Sequence, residues 1–484
     1  MKILKDLKEQ LHKKGVDIIN TDYYDIIDMW KSWYNGSVDD FHFYTVKIAD
    51  GSNAEFERKT MSMAKKGSED MMKLLWSNKC DIKLGNDEKT KQLWKVLDSK
   101  QNNFTIMFPQ MIELAMALGT TAMTQYKDAM GRTRIEYIND AKMIIPYAYD
   151  NFNITGFIVF NQWQETEKRS TIYYTHLTYH EFKPEKNESG EYKQIYRKYN
   201  EVYKSKNPDE LGKEIDFNLV FPDVEELVEE ITDTPHFQII KPPLANNVDI
   251  DTPMGLSIFG NSIDKLKAID NKYDSFDMEF VDGKRRILVD KTALKGTPQV
   301  DENGNISQQL YFDRNDRTYV AMNGMKDQPI KDISFDLRYQ EHIDSINAEL
   351  NWYSASLGFG ESFYKFDGNG QATATEILSQ DDDAFRTKQT FETVIKDVLI
   401  DLVKAVCYLE EIELSEDEIQ VEFDYSRFEN QEKTQARLER EVSHGITSKV
   451  EYRMKVYGET QEIAEQKIKE IQESNPSVSD LIGE

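Results

Sequence analysis

Residues 357–376 read Leu-Gly-Phe-Gly-Glu-Ser-Phe-Tyr-Lys-Phe-Asp-Gly-Asn-Gly-Gln-Ala-Thr-Ala-Thr-Glu, and a long helix-forming run follows. Gly358, Gly360, Gly368 and Gly370 punctuate the stretch as a loop. Thr373 followed by Glu376 is a capping box, each side chain bonding an orphan backbone N–H of the other, so a helix starts there. No Gly or Pro interrupts residues 374–411, which permits a rod of about 50 Å. Asp381, Asp382 and Asp383 mark a kink or a solvated face within it. Val394, Ile395, Val398, Leu399, Leu402, Val403 and Val406 then form a broad apolar face, the pattern of a buried helix.

Upstream, Pro242, Pro243 and Pro253 mark a connector, and a helix follows Gly260 to about Asp282. Its apolar residues Leu266, Ile269, Tyr273, Phe276 and Phe280 step 3, 4, 3, 4, a narrow heptad-like seam. Asp264, Asp270, Asp274, Asp277, Glu279 and Asp282 take the other faces. Gly283 ends the helix, and Lys284, Arg285 and Arg286 complement its C-terminal dipole. Ile287–Asp290, Gln309–Asp313 and Tyr319–Asn323 read as strands of a small module. Residues 301–305 read as a hairpin turn, since the full spacing and bidentate glutamate of a calcium loop are absent. A second seam, Ile343, Ile346, Leu350, Tyr353 and Leu357, carries Asp336, Glu341, Asp344 and Glu349 around it. So narrow a stripe cannot bury a helix on every side. The two helices must pack on each other, or on copies of themselves in a ring.

The first half predicts helices followed by antiparallel strands, an α+β arrangement. Leu4, Leu7 and Leu11 amid lysines give an amphipathic N-terminal helix, one that docks on protein or, as the alternative, lies on a membrane surface. Helices are predicted over 21–34, 55–78 and about 103–118, then strands at 121–126, 134–138, 154–162 and 171–182. Residues 224–231 read as an exposed acidic loop or helix. Residues 419–425 alternate as a strand. Polar helices fill the tail, with starts at Ser448/Glu451 and Thr460/Glu462.

The 484-residue chain carries a formal charge of −27, from 87 acidic against 60 basic residues. That balance argues against a nucleic-acid coat, whose footprint is basic. Cys80 and Cys407 are far apart without a CxxC partner, so neither a disulfide framework nor a zinc site is expected. No apolar run spans a bilayer. The seven histidines form no HExxH, and GxSxG and Walker A sequences are absent. Neither an enzyme nor a cofactor or metal site is therefore expected.

Residues 239–402 resemble the portal proteins of tailed bacteriophages, especially long-tailed phages of Gram-positive hosts. The resemblance is carried by Pro253-Met254-Gly255-Leu256-Ser257-Ile258-Phe259, Leu266 to Asp270, Tyr273-Asp274-Ser275-Phe276 and Glu279. It continues through Gly283-Lys284-Arg285-Arg286-Ile287, Leu357-Gly358-Phe359, Phe366 and Thr373-Ala374-Thr375-Glu376-Ile377. Trp30, Trp33-Tyr34 and Gly36 match near the start, and Gly445-Ile446-Thr447-Ser448 and Tyr457-Gly458 near the end. Residues 201–237 match nothing in the pattern.

The resemblance implies a homo-oligomeric ring, usually a dodecamer, at one capsid vertex of the virion, assembled in the host cytoplasm. Double-stranded DNA would pass through it without sequence specificity. The terminase large subunit, a head-tail connector, and the major capsid and scaffolding proteins would be its partners, and no membrane is involved. The implied architecture is an N-terminal wing (1–255), stem helices (256–283 and 335–356), a clip (284–334), a tunnel loop (357–372), a long wing helix and strand (373–430) and a helical crown (431–484). Asp264, Asp270, Asp274, Asp277, Asp344 and Glu349 are then expected to face the channel or outer solvent. Lys284, Arg285 and Arg286 would stand at the clip base. Phe359, Glu361, Phe363 and Lys365 would form the constriction, unless Phe359 and Phe363 pack on the wing instead. The rival reading is a non-channel scaffold whose acidic helices bind a basic partner.

Overall fold

The computed structural model describes residues 2–47, 51–167, 170–186, 190–284, 286–290, 296–300, 306–310, 319–322, 330–333, 336–366, 374–425, 438–457 and 461–474. The chain divides into two compact units, Met1–Glu422 and Phe423–Glu484.

Helix α1 (Lys2–Lys13) buries Ile3, Leu4, Leu7 and Leu11, so its apolar stripe is docked on protein as its spacing predicts. Helix α2 (Tyr23–Tyr34) buries Tyr23, Tyr24, Ile27, Trp30 and Trp33. Strands β1 (Phe43–Lys47) and β2 (Asn53–Glu57) form an antiparallel ribbon, and α3 (Met63–Leu75) follows. The helix expected over 55–78 therefore starts only at Met63. Ser62 holds φ at 52°, a left-handed conformation no α-helix continues through. Residues 53–57 alternate apolar and polar, which is strand periodicity.

A short strand, β3 (Asp81–Lys83), precedes α4 (Asp87–Leu97), which the apolar pattern alone does not announce. Its signal is the cap: the Asn86 side chain accepts from the Lys89 N–H, with Asp87 and Glu88 in the first turn. Helix α5 (Phe104–Leu118) is the centre of the helical layer, burying Phe104, Phe108, Met111, Ile112, Ala115 and Met116.

Strands β4 (Thr121–Lys127) and β5 (Thr133–Ile138) open the sheets. Next come β6 (Ile144–Asp150), β7 (Asn153–Glu167), β8 (Ser170–Lys186), β9 (Tyr192–Ser205), β10 (Lys213–Ile215), β11 (Leu227–Ile231) and β12 (Phe237–Ile240). The larger sheet runs β10-β9-β8-β7-β6, with β11 also on β9; the smaller runs β12-β4-β5. The acidic segment at 224–231 is thus an edge strand, its Leu227 to Ile231 paired with Tyr199 to Ile195. The unmatched residues 201–237 complete the larger sheet.

The two sheets meet over a histidine-rich core. His180 stacks on Phe157 at 5.1 Å and bonds the Tyr196 hydroxyl at 2.9 Å; His236 lies 4.6 Å from the Tyr196 ring. Burial holds His180 well below the usual histidine range and His236 down at about 4. The Glu230 carboxylate, itself pushed up by burial, is 3.6 Å from the His236 ring. An unfolded chain protonates His236 near 6.5, and the fold resists until about 4. Stability from keeping this ring neutral is therefore complete above pH 6.5 and is lost as pH falls toward 4, by about 3 kcal/mol. Melting temperature is expected to drop across that window, and His236→Phe to flatten the drop. An identical profile in the variant would contradict this.

Helix α6 (Ile263–Asp282) leads to β13 (Arg286–Asp290), β14 (Gly296–Val300), β15 (Ile306–Leu310), β16 (Tyr319–Met322) and β17 (Ile330–Ile333). β13 pairs with β16 in parallel and with β17 antiparallel, and β14 with β15 antiparallel. Residues 301–305, read as a turn, lie outside the described residues, between strands that pair Val300 with Ile306. Helix α7 (Tyr339–Ser356), the loop from Leu357 and helix α8 (Ala374–Leu409) follow. At 36 residues α8 is about 54 Å long. The capping residue Thr373 lies outside the described residues. Strand β18 (Gln420–Glu422) closes the unit on β3.

In the second unit, α9 (Lys449–Tyr457) opens on the predicted capping box. The Glu451 N–H donates to Ser448 Oγ and the Ser448 N–H to Glu451 Oε2, both at 3.1 Å. Helix α10 (Gln461–Ser474) follows; Thr460 lies outside the described residues.

Candidate functional site

The sequence points to the α6–α7 pair and the loop beyond it. The seam side chains lie between the helices and their neighbours: Leu266, Ile269, Ile346, Leu350 and Tyr353 are buried. Charge reinforces the seam. Lys272 Nζ pairs with Glu349 at 2.6 Å, and Arg338 bonds Glu279 through its guanidinium at 2.7 Å and its N–H at 3.0 Å. These bonds from the Arg338 guanidinium and N–H hold the Glu279 carboxyl down at about 2.

Three further acids of α6 hold the segments that flank the β1–β2 ribbon. Asp270, 3% exposed, faces His42 Nε2 at 3.1 Å and accepts from the Met61 N–H at 2.9 Å. Asp274 accepts from the Lys59 N–H, and Asp277 pairs with Lys59 Nζ at 2.7 Å. Asp270 is thus a structural acid within one subunit and cannot face a channel. Asp274, Asp277 and Glu349 are partly exposed but bonded within the chain. Asp264 and Asp344 are the exposed ones. Lys284 is exposed, Arg285 lies outside the described residues, and Arg286 opens β13.

The loop does not project from its first residue. Phe359 is fully buried and stacks on Phe363 at 4.5 Å; Tyr364 meets Phe363 edge-on at 5.0 Å. Phe366 packs on Phe276 at 5.4 Å, and its N–H donates to Asn347 at 2.7 Å. Phe359 is thus packed inside the subunit, and of the four proposed constriction residues Glu361 and Lys365 are exposed. Gly358 has φ 81°, and a Cβ there would lie 2.5 Å from Thr387 Oγ1, whose hydroxyl donates to the Gly358 carbonyl at 2.7 Å. The loop is therefore tied to α8 at its start. Residues 367–373 lie outside the described residues.

The Pro253–Phe259 motif lies against the end of α5. Gly255 receives the Tyr23 hydroxyl on its carbonyl at 2.8 Å and donates to Thr120 Oγ1 at 2.9 Å. The Ile258 N–H donates to the Met116 carbonyl.

The profile of the family described as "Phage portal protein, SPP1 Gp6-like" matches residues 16–477. The chain belongs to that family. Portal proteins are structural, not enzymatic, in keeping with the absence of catalytic motifs from the sequence. Similar solved structures include a virion of native gene transfer agent (GTA) particle, with TM-score 0.39, 10% identity, 81% of this chain covered and 88% of that one. Others are a neck of empty GTA particle computed with C6 symmetry (TM-score 0.40, 10% identity, 81% and 88% covered) and a neck of native GTA particle computed with C12 symmetry (0.38, 9%, 81% and 88%). No curated protein matches the chain.

Sequence reasoning about a portal missed His42, Lys59 and the ribbon between them. Their partners on α6 are more than 200 residues away, and no local periodicity reports such a contact.

Proposed function

We propose that copies of this portal protein close into a ring, a dodecamer, at one capsid vertex of a long-tailed phage of Gram-positive bacteria. Double-stranded DNA is packaged and ejected through its centre. In this reading α6 and α7 are the stem, residues 284–334 the clip, 357–372 the tunnel loop, α8 the long wing helix, and the helices after 431 the crown. The terminase large subunit docks outside during packaging and the head-tail connector later, while capsid and scaffolding proteins surround the ring.

The supporting observation is the α6–α7 pair itself: two helices joined by Lys272–Glu349 and Arg338–Glu279, with Asp264 and Asp344 left to solvent. A conduit must not hold its cargo. Cations would grip phosphates by counterion release, whereas exposed acids repeated around a ring repel them.

Negative-stain images of the purified chain are expected to show rings with a central hole; a compact monomer under every condition would sink the proposal. Because Phe359, Tyr364 and Phe366 are anchors, the constriction is tested at the exposed positions. Glu361→Ala with Lys365→Ala is expected to leave rings intact and to impair packaging or DNA retention. Unchanged packaging would refute the role of the loop.

A further inference from the structure

The last turns of α4, the β4–β5 turn and the chain just after α8 enclose a cleft of about 500 Å³. Its charge is opposite to that of the chain, which stands at −27. Lys95, Arg132 and Arg134 line it against one acid, Glu410. Glu410 is already neutralised: it pairs with Lys127 at 2.7 Å and accepts from the Thr133 hydroxyl. Arg132 is bound to Asp128 through its Nε at 2.9 Å. What remains is the charge of Lys95 and Arg134. Neither side chain has an ion pair or a hydrogen-bond acceptor among the described residues.

Neither cation is needed to finish a helix. Helix C-termini attract cations, and α4 and α8 both end at the cleft. Their last carbonyls, however, are already bonded. The Asp98 N–H closes α4 on Trp94, and the Ser99 N–H and the Asn102 amide close it on Val96. The N–H groups of Glu410, Glu411 and Ile412 close α8 on Val406, Tyr408 and Cys407. Asp98, the acid next in sequence to α4, is committed to the Thr105 N–H at 3.0 Å and its hydroxyl at 2.7 Å. Arg134 is half-buried on an edge strand. Holding a guanidinium partly out of water without an acceptor costs free energy, which a bound anion offsets.

The lining selects among anions. A free arginine fork with a separate ammonium suits an oxyanion whose oxygens point in several directions, whereas one fork alone satisfies a carboxylate. Gln92, Ser99 and Gln101 add neutral donors. No aromatic side chain is among the described residues that line the cleft, so a base has nothing to stack on. These features fit a phosphate group and not a whole nucleotide. The chain as a whole repels phosphate, so any binding has to be local. The cleft shares no residue with α6 or α7, whose exposed acids keep their own role.

We propose that the cleft between Lys95 and Arg134 binds a phosphate group, free or carried in a nucleic-acid backbone. The site lies within one chain, so it stands or falls independently of the ring. Inorganic phosphate is titrated calorimetrically into the full-length chain in low-salt HEPES, and a short DNA duplex is titrated in parallel. Lys95→Gln with Arg134→Gln is expected to weaken binding on the order of ten-fold or more, with circular dichroism unchanged. Lys95→Gln alone, at an exposed helical position that cannot disturb the sheet, is expected to weaken it in the same direction. Lys91→Gln, one turn earlier on α4 and outside the cleft, removes an equal charge and is expected to leave binding unchanged. Phosphate bound without duplex would assign a free phosphate or a phosphorylated small molecule. Duplex bound with a salt dependence that the double variant loses would assign a nucleic-acid backbone. Binding of neither probe, binding that survives in the double variant, an equal loss in Lys91→Gln, or succinate held as tightly as phosphate would each overturn the site.

Discussion

Gly119→Ala is expected to lower stability by about 3–5 kcal/mol, the sum of two costs falling on one atom. Gly119 ends α5 at φ 83°, its N–H bonded to the Ala115 carbonyl at 2.8 Å. A side chain in that left-handed conformation costs roughly 1–2 kcal/mol. The added Cβ would also lie 2.1 Å from the Gly255 carbonyl oxygen. The obstruction is backbone, so no rotamer change relieves it, and strands of chain that hold α2, α5 and the approach to α6 must separate. Gly255→Ala meets the Gly119 carbonyl oxygen at the same 2.1 Å without a positive φ. It should therefore cost less, about 2–3 kcal/mol. Gly131, at φ 72° with nothing within 4 Å of its Cβ position, is the control: alanine there carries conformational strain alone. The readout is the midpoint of the first urea transition. Gly119→Ala no worse than Gly131→Ala would show that the close approach is not obligatory.

This crossing gives a physical reason for part of the Pro253–Phe259 motif, and it marks what a sequence can and cannot disclose. Periodicity over a long window was informative: the α6 and α7 seams and the apolar face of α8 are each repeated over many turns, so they predict helices that the structure contains. The capping box at Ser448 and Glu451 was legible because all its atoms are local. The β1–β2 ribbon was not, because five-residue strands hold too few alternations to stand out beside a helix-forming neighbour. The acids of α6 were legible as a face but not as a destination. Asp270 looks like Asp264 in sequence, yet it is committed to His42, whose position along the chain says nothing about that contact. The glycine-punctuated loop misled in the same way. Glycines signal a turn, but Phe359, Phe363, Tyr364 and Phe366 decide whether the turn projects, and their packing depends on α7 and α8 together.

Lys388→Ala is expected to cost about 3–5 kcal/mol, although the residue belongs to no motif. Lys388 is 1% exposed in the middle of α8; its ammonium donates to the Leu74 carbonyl at 2.7 Å and pairs with Glu392, also buried, at 2.5 Å. Leu74 lies in the last turn of α3, where helix carbonyls lack acceptable partners within the helix. The lysine thus caps α3 from another element and neutralises a buried carboxylate one turn away. Removing it abandons both. The charge itself is dispensable: Lys388→Met with Glu392→Leu removes the pair together and should recover most of the loss, since apolar replacements of matching volume are often neutral. The adjacent Thr387 carries the bond to Gly358, so α8 holds the end of α3 and the start of the loop at consecutive positions. If the clamp aligns these two elements, the Lys388→Ala chain should show faster hydrogen exchange at both Leu75 to Trp76 and Gly358 to Phe359, whereas the double variant should restore protection at the loop. Equal stability of the single and double variants would contradict the buried-charge account; protection lost only at α3 would confine the lysine to capping.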